Sequence, residues 1–193
     1  MSRIEQLKEK ISVIYQARNP DRADWADWLF ENHIFVVAGY AEKLAERFGA
    51  NKELAMAAGM LHDIADAIMS RENPEHELKS EEIARSLLQQ TGFWEQEIKI
   101  IVDDAIRFHG CHGTNLPQTL EGKVMATADA LAHLATKFYD FALERLREKE
   151  SLAEIRTWAS SKIERDYLKK IFFAEVRTEI FQDYKRVKRL FTL

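Results

Sequence analysis

The apolar run 54–61 ends on two polar neighbours, His62 and Asp63. Imidazole and carboxylate are both metal donors, and burying the two together is costly unless something binds them. Neighbours on a helix project about 100° apart, so the pair cannot simply satisfy itself. Partners are present in His33 upstream and in His76, His109 and Asp129 downstream. Taken singly, His33 and His109 read as core histidines bonded to a backbone carbonyl. Asp129, flanked by Ala128 and Ala130, needs a cation or a metal if it is buried. Gathered in one apolar interior, these imidazoles and carboxylates point to a metal site.

The elements that must position them read as helices. Three prolines and seven glycines in 193 residues leave long uninterrupted stretches, which predicts an all-α fold. Ile4, Leu7, Ile11 and Ile14 fall at helical spacing behind a Ser2 cap. A second helix is predicted over 23–48, with His33 on the stripe Trp25, Leu29, Val36, Tyr40, Leu44 and Phe48, closed by Gly49. A central helix follows over 52–69, capped by Asn51. Further helices are predicted over 80–90 and 95–108, the second with His109 on the stripe of Ile98, Val102 and Ala105. Residues 110–117 form the clearest loop. A helix from about residue 120 carries Met125, Asp129, Ala132 and Thr136 on one face. The remainder to residue 193 is helical and charged, on the stripe Phe173, Val176, Ile180, Tyr184, Val187 and Phe191. The sequence predicts a single domain over 1–193, with a motif-bearing core at about 23–137 and a C-terminal helical extension at about 138–193.

Composition narrows the function. Hydrophobic content of 46% and charged content of 31% suit a globular protein and exclude a disordered chain. A formal charge of −4 gives no broad basic field for a nucleic-acid duplex. A local cationic site for a small phosphate compound is still compatible with it. No stretch is long and apolar enough for a membrane span, and the charged first eight residues lack the apolar core of a signal peptide. Cys111 is the single cysteine, so no intrachain disulfide is expected. The expected compartment is the cytoplasm.

The order His33, then the doublet in Leu61-His62-Asp63-Ile64-Ala65, then Asp129 in Ala128-Asp129-Ala130-Leu131, resembles the HD superfamily of metal-dependent phosphohydrolases. Two more histidines extend the likeness to the single-domain, six-ligand, two-metal branch: His76, four residues before Ser80, and His109 at the end of the following helix. The resemblance implies an HD-domain helical bundle in which His33, His62, Asp63 and Asp129 hold one ion. His76 and His109 would hold a second, with Asp63 bridging. Four imidazoles and two carboxylates without thiolate suit iron or manganese before structural zinc, with magnesium, cobalt, nickel or zinc left open. A pair of ions about 3.5–4 Å apart shares a hydroxide and clamps phosphoryl oxygens. The implied reaction is attack of a metal-bound hydroxide on a small phosphate ester or anhydride, a nucleotide first, since two-metal relatives split dinucleoside polyphosphates.

Secondary candidates surround that set. Asp63 and Asp66 are candidate catalytic carboxylates, Asp66 standing where many relatives have lysine. His112, in the loop beside His109, is a candidate proton donor and substrate contact. His133 lies one turn beyond Asp129 and Lys137 two turns beyond it, and both are candidate substrate contacts. Two other functions use the same residues: an HD-type di-iron oxygenase resembling myo-inositol oxygenase, and a non-catalytic nucleotide-binding HD module. The aromatic residues of the C-terminal stripe suit core or homodimer contacts.

Overall fold

Ser2 starts the first helix through a capping box: its hydroxyl accepts from the Glu5 amide, and the Glu5 carboxylate accepts from the Ser2 amide. Helix α1 (Arg3–Gln16) then buries Leu7, Ile11 and Tyr15. The computed structural model describes residues 1–191, and every regular element among them is helical. Thr192 and Leu193, where the expected C-terminal helix ends, lie outside the described residues.

Helix α2 (Ala26–Leu29) passes through a π-helical turn, Phe30–Ile34, into α3 (Phe35–Phe48). Gly49 closes α3 with φ 78°, a left-handed conformation that glycine adopts without penalty. Asn51 opens α4 (Lys52–Leu61), its side-chain oxygen accepting from the Glu53 and Leu54 amides. The sequence predicts this helix to residue 69, but it stops at Leu61. Asp63 leaves helical geometry at φ −121°, ψ 31°, and a 3-10 turn, Ile64–Ala67, follows. The break separates the directions of His62, Asp63 and Asp66, which an unbroken helix would fix at one rotation per residue.

Helix α5 (His76–Gln90) begins four residues earlier than predicted, placing His76 at its first position. The predicted helix over 95–108 consists of a short α6 (Glu95–Ile98) continued by a π-helical segment, Lys99–Ile106. Helix α7 (Leu120–Leu134), capped by Thr119, is buried at almost every position. Helices α3, α4 and α7 pack on one another as the heart of the bundle, and the 99–106 segment packs against α4 and α7.

The C-terminal part comprises α8 (Phe138–Leu146), α9 (Leu152–Arg165), α10 (Ala174–Glu179) and α11 (Phe181–Leu190). A third π-helical turn, Asp166–Lys170, extends α9 and packs against α7. The extension is therefore part of the same core. Val176, Ile180, Val187 and Phe191 from its predicted stripe are buried as expected.

Candidate metal centre

Three imidazoles converge on one carboxylate oxygen. Asp129 Oδ1, on α7, lies 3.1 Å from His33 Nε2, 3.4 Å from His133 Nε2 and 3.7 Å from His62 Nε2. That oxygen has no hydrogen-bond partner, and neither does His62 Nε2. Buried polar atoms are normally paired, so unpaired donors facing one another mark a place for a cation. Backbone carbonyls prepare two of the rings. His62 Nδ1 donates to the Gly59 carbonyl at 2.9 Å and His109 Nδ1 to that of Ile106 at 2.6 Å. Each bond fixes the tautomer that leaves Nε2 bare. Two donor triads result, His33–His62–Asp129 and His62–Asp63–His109, each with its ligand atoms within 4.8 Å of one another. These nitrogen and oxygen donors fit a divalent first-row ion.

His76 joins neither triad. Its Nε2 donates to Asp66 Oδ1 at 2.9 Å, and the fully buried Asp66 also accepts from Arg71 at 2.5 Å. The same Arg71 Nη2 lies 2.5 Å from Asp63 Oδ2. Asp66, expected as a catalytic carboxylate, is thus taken up in holding His76 and Arg71.

Further partners come from the C-terminal extension and were not visible in the sequence motifs. Lys170 donates to Asp129 Oδ2. Asp166 accepts from Tyr139 Oη at 2.6 Å, lies 3.1 Å from His133 Nδ1, and is 3.6 Å from Lys162 Nζ. His133, expected as a substrate contact, is therefore held between Asp129 and Asp166. Lys137 is corrected more sharply: α7 ends at Leu134, so the helical register that aimed Lys137 at the site is broken and the residue is exposed. Lysines 162 and 170 occupy the region expected of it.

Burial and charge set the protonation states. Burial would raise the Asp63 carboxyl, but Arg71, His62 and His109 outweigh it and hold it well below the usual range. Burial acts likewise on Asp129, and His133, Lys170 and His33 outweigh it in the same sense. Burial lowers His62, and pushes His109 down to about 4 and His133 to about 3. These rings are neutral at neutral pH, as ligands must be. His76 moves the opposite way, because its bond to Asp66 outweighs burial and raises it. Burial pushes the Cys111 thiol up to about 11, which leaves it unreactive.

The centre opens into a cavity of 480 Å³ whose walls include Asp63, His109, Asp129 and the cationic Arg71, Lys162 and Arg165. His112 stands on the wall beside Gly110, as its loop position predicts.

A model of the HD domain matches residues 30–134, more than half of the chain. The chain is 30% identical over 125 residues to a ribonuclease Y of Acholeplasma laidlawii, which is 63% of this chain and 22% of that protein. It is 31% identical over 104 residues to an uncharacterised protein of Clostridium beijerinckii, covering 53% and 63% of the two chains. The chain spans about a fifth of the length of the ribonuclease Y relatives. A crystal structure of a predicted HD superfamily hydrolase from an uncultured Thermotogales bacterium matches with a TM-score of 0.59 at 22% identity, over 94% of this chain and 87% of that one. At that identity the likeness is one of fold. His33, the His62–Asp63 doublet and Asp129 all fall inside the matched segment, and the chain belongs to the HD domain family.

Proposed function

We propose that this protein is a metal-dependent phosphohydrolase acting on a small phosphate ester or anhydride, with a nucleotide as its substrate. The observation that carries the reading is the pairing of the donor triads with a cationic wall in one cavity. A bound divalent ion would supply Lewis-acid polarisation of a phosphoryl oxygen and a lowered pKa for water. Arg165 lines the same cavity, and its Nε is buried without a hydrogen-bond partner. A planar guanidinium in that state suits phosphate oxygens, which accept its hydrogen bonds in pairs. His112 stands exposed on the wall, and burial lowers its pKa, so in this reading its neutral ring donates a hydrogen bond to the leaving group. Arginine and lysine around an anionic group favour this reading over the oxygenase. The ribonuclease Y relatives are, by name, enzymes of RNA, whose linkage is also a phosphate ester.

A second cavity of 410 Å³ supports the nucleotide. It shares Arg71, Lys162 and Arg165 with the first and adds Trp25, Trp158 and Phe138. A heterocycle stacked there would leave its phosphates beside the shared cations. Aromatic–base stacking is worth about 1–3 kcal/mol. The test compares phosphate release from a nucleoside triphosphate and from tripolyphosphate by the manganese-loaded protein. Trp158→Ala is expected to raise KM for the nucleotide roughly tenfold and to leave tripolyphosphate unaffected. No release from either compound by a protein that binds manganese would reject hydrolysis, and oxygen uptake by the iron-loaded protein would replace it with the oxygenase.

A further inference from the structure

The two donor triads share His62, and that sharing limits what they can hold. His62 Nδ1 is committed to the Gly59 carbonyl, so the ring offers one lone pair, on Nε2. One lone pair serves one ion. With His62 joined to His33 and Asp129, a second ion would rely on Asp63, His109 and His76. Two of those three are already engaged by other charges. Asp63 Oδ2 is 2.5 Å from Arg71 Nη2, and His76 Nε2 is bonded at 2.9 Å to Asp66 Oδ1. Asp66 Oδ2 in turn accepts from the same Arg71 nitrogen at 2.5 Å, closing a chain Asp63–Arg71–Asp66–His76.

We infer that the Arg71 guanidinium, paired with Asp63, holds the place of a second metal ion, so that this protein binds one ion at His33, His62 and Asp129 and uses a fixed organic cation beside it. The charge pattern supports the assignment. Asp66 adds a carboxylate that no ligand triad contains, and Arg71 is the cation that balances both it and Asp63. A divalent ion at Asp63 and His76 would sit against that guanidinium and be repelled by it. Arg71 also lines the 480 Å³ cavity, and its side chain is 41% exposed. It can therefore donate to a phosphate oxygen in that cavity, as a charge clamp in place of a metal. The inference rests on the metal-binding reading above, and does not require that the reaction be hydrolysis.

Metal content tests it without any substrate. The metal-free protein is saturated with manganese(II), freed of loose ions and analysed for manganese per chain, with low-temperature electron paramagnetic resonance on the same samples. The wild type is expected to hold one ion with the six-line signal of isolated manganese. Arg71→Ala is expected to hold two, with the signal of a spin-coupled pair, once Asp63 is released and the guanidinium charge is gone. Arg71→Lys, which keeps the charge, is expected to stay at one and guards against a fold defect in the alanine variant. Two ions in the wild type, or one in Arg71→Ala folded by circular dichroism, overturns the inference. No ion in the wild type overturns the metal reading with it. Manganese bound as expected but no phosphate released leaves the inference standing and rejects the proposed hydrolysis.

Discussion

Asp166 is fully buried, and the Tyr139 hydroxyl, His133, Lys162 and Lys170 all lean on its carboxylate. Burial alone would raise its pKa, but Lys162 and His133 outweigh that and hold it low, so the group is ionised across the physiological range. Replacing it with asparagine keeps the shape and removes the charge that balances two buried ammonium groups. Losing one partner of a buried ion pair costs about 3–5 kcal/mol. Asp166→Asn is thus expected to lower Tm by roughly 10 °C in calorimetry of the metal-free protein. The sequence offered little warning of this residue. His33, His62, Asp63, His109 and Asp129 stood out because each conflicts with an apolar surrounding, whereas His76 lies in a polar stretch and came from the resemblance. Lys162, Asp166 and Lys170 are spaced four apart, the pattern of an ordinary solvated helix face. The available signal was positional: the buried stripe Ile155, Ala159 and Ile163 runs directly on through Asp166 to Lys170.

Helices α3 and α4 bring His33 and His62 together, and Gly59 sets how closely they approach. A Cβ there would lie 3.1 Å from both Ala38 Cα and Ala38 N, backbone atoms that cannot rotate away. Gly59→Ala is expected to push α4 off α3, costing about 1–3 kcal/mol, and to weaken manganese binding in isothermal titration calorimetry. Gly39→Ala on α3, where an added Cβ meets nothing within 4 Å, is the control and should bind manganese normally. Caps at this scale were legible, since Ser2, Gly49 and Asn51 act as their chemistry demands. The end of α4 was not, because Ile64, Ala65, Ala67 and Ile68 prolong the apolar pattern past the point where Asp63 turns the backbone.

Across the whole molecule, the neutral histidines tie stability to pH. Free imidazole titrates near 6.5, while burial holds His62 below that value, His109 at about 4 and His133 at about 3. The unfolded chain therefore binds more protons than the folded one in that interval, and stability falls as pH drops. The contribution is intact above about pH 6.5 and lost on the way down to the folded values. His112 is lowered by burial as well, and His76, raised by Asp66, acts in the opposite sense, one residue against four. Metal-free protein is expected to show a level Tm from pH 8 to 7 and a decline beginning near pH 6.5, well before carboxylates titrate at about 4. A level Tm down to pH 5 would mean that these rings are not neutral in the fold. The three π-helical turns have a different consequence at this scale. One carries His33, one ends three residues before His109, and one carries Asp166 and Lys170. A π turn accommodates one residue more than the surrounding α-helix, so each is a single-residue insertion within an otherwise regular frame. Excising one would swing every later side chain by about 100° while sparing most of the apolar stripe before it. Scaffold and centre are in that sense edited together: excision at Phe30–Ile34 would turn the buried Val37, Ala38, Ala41 and Leu44 away from the core along with the chemistry.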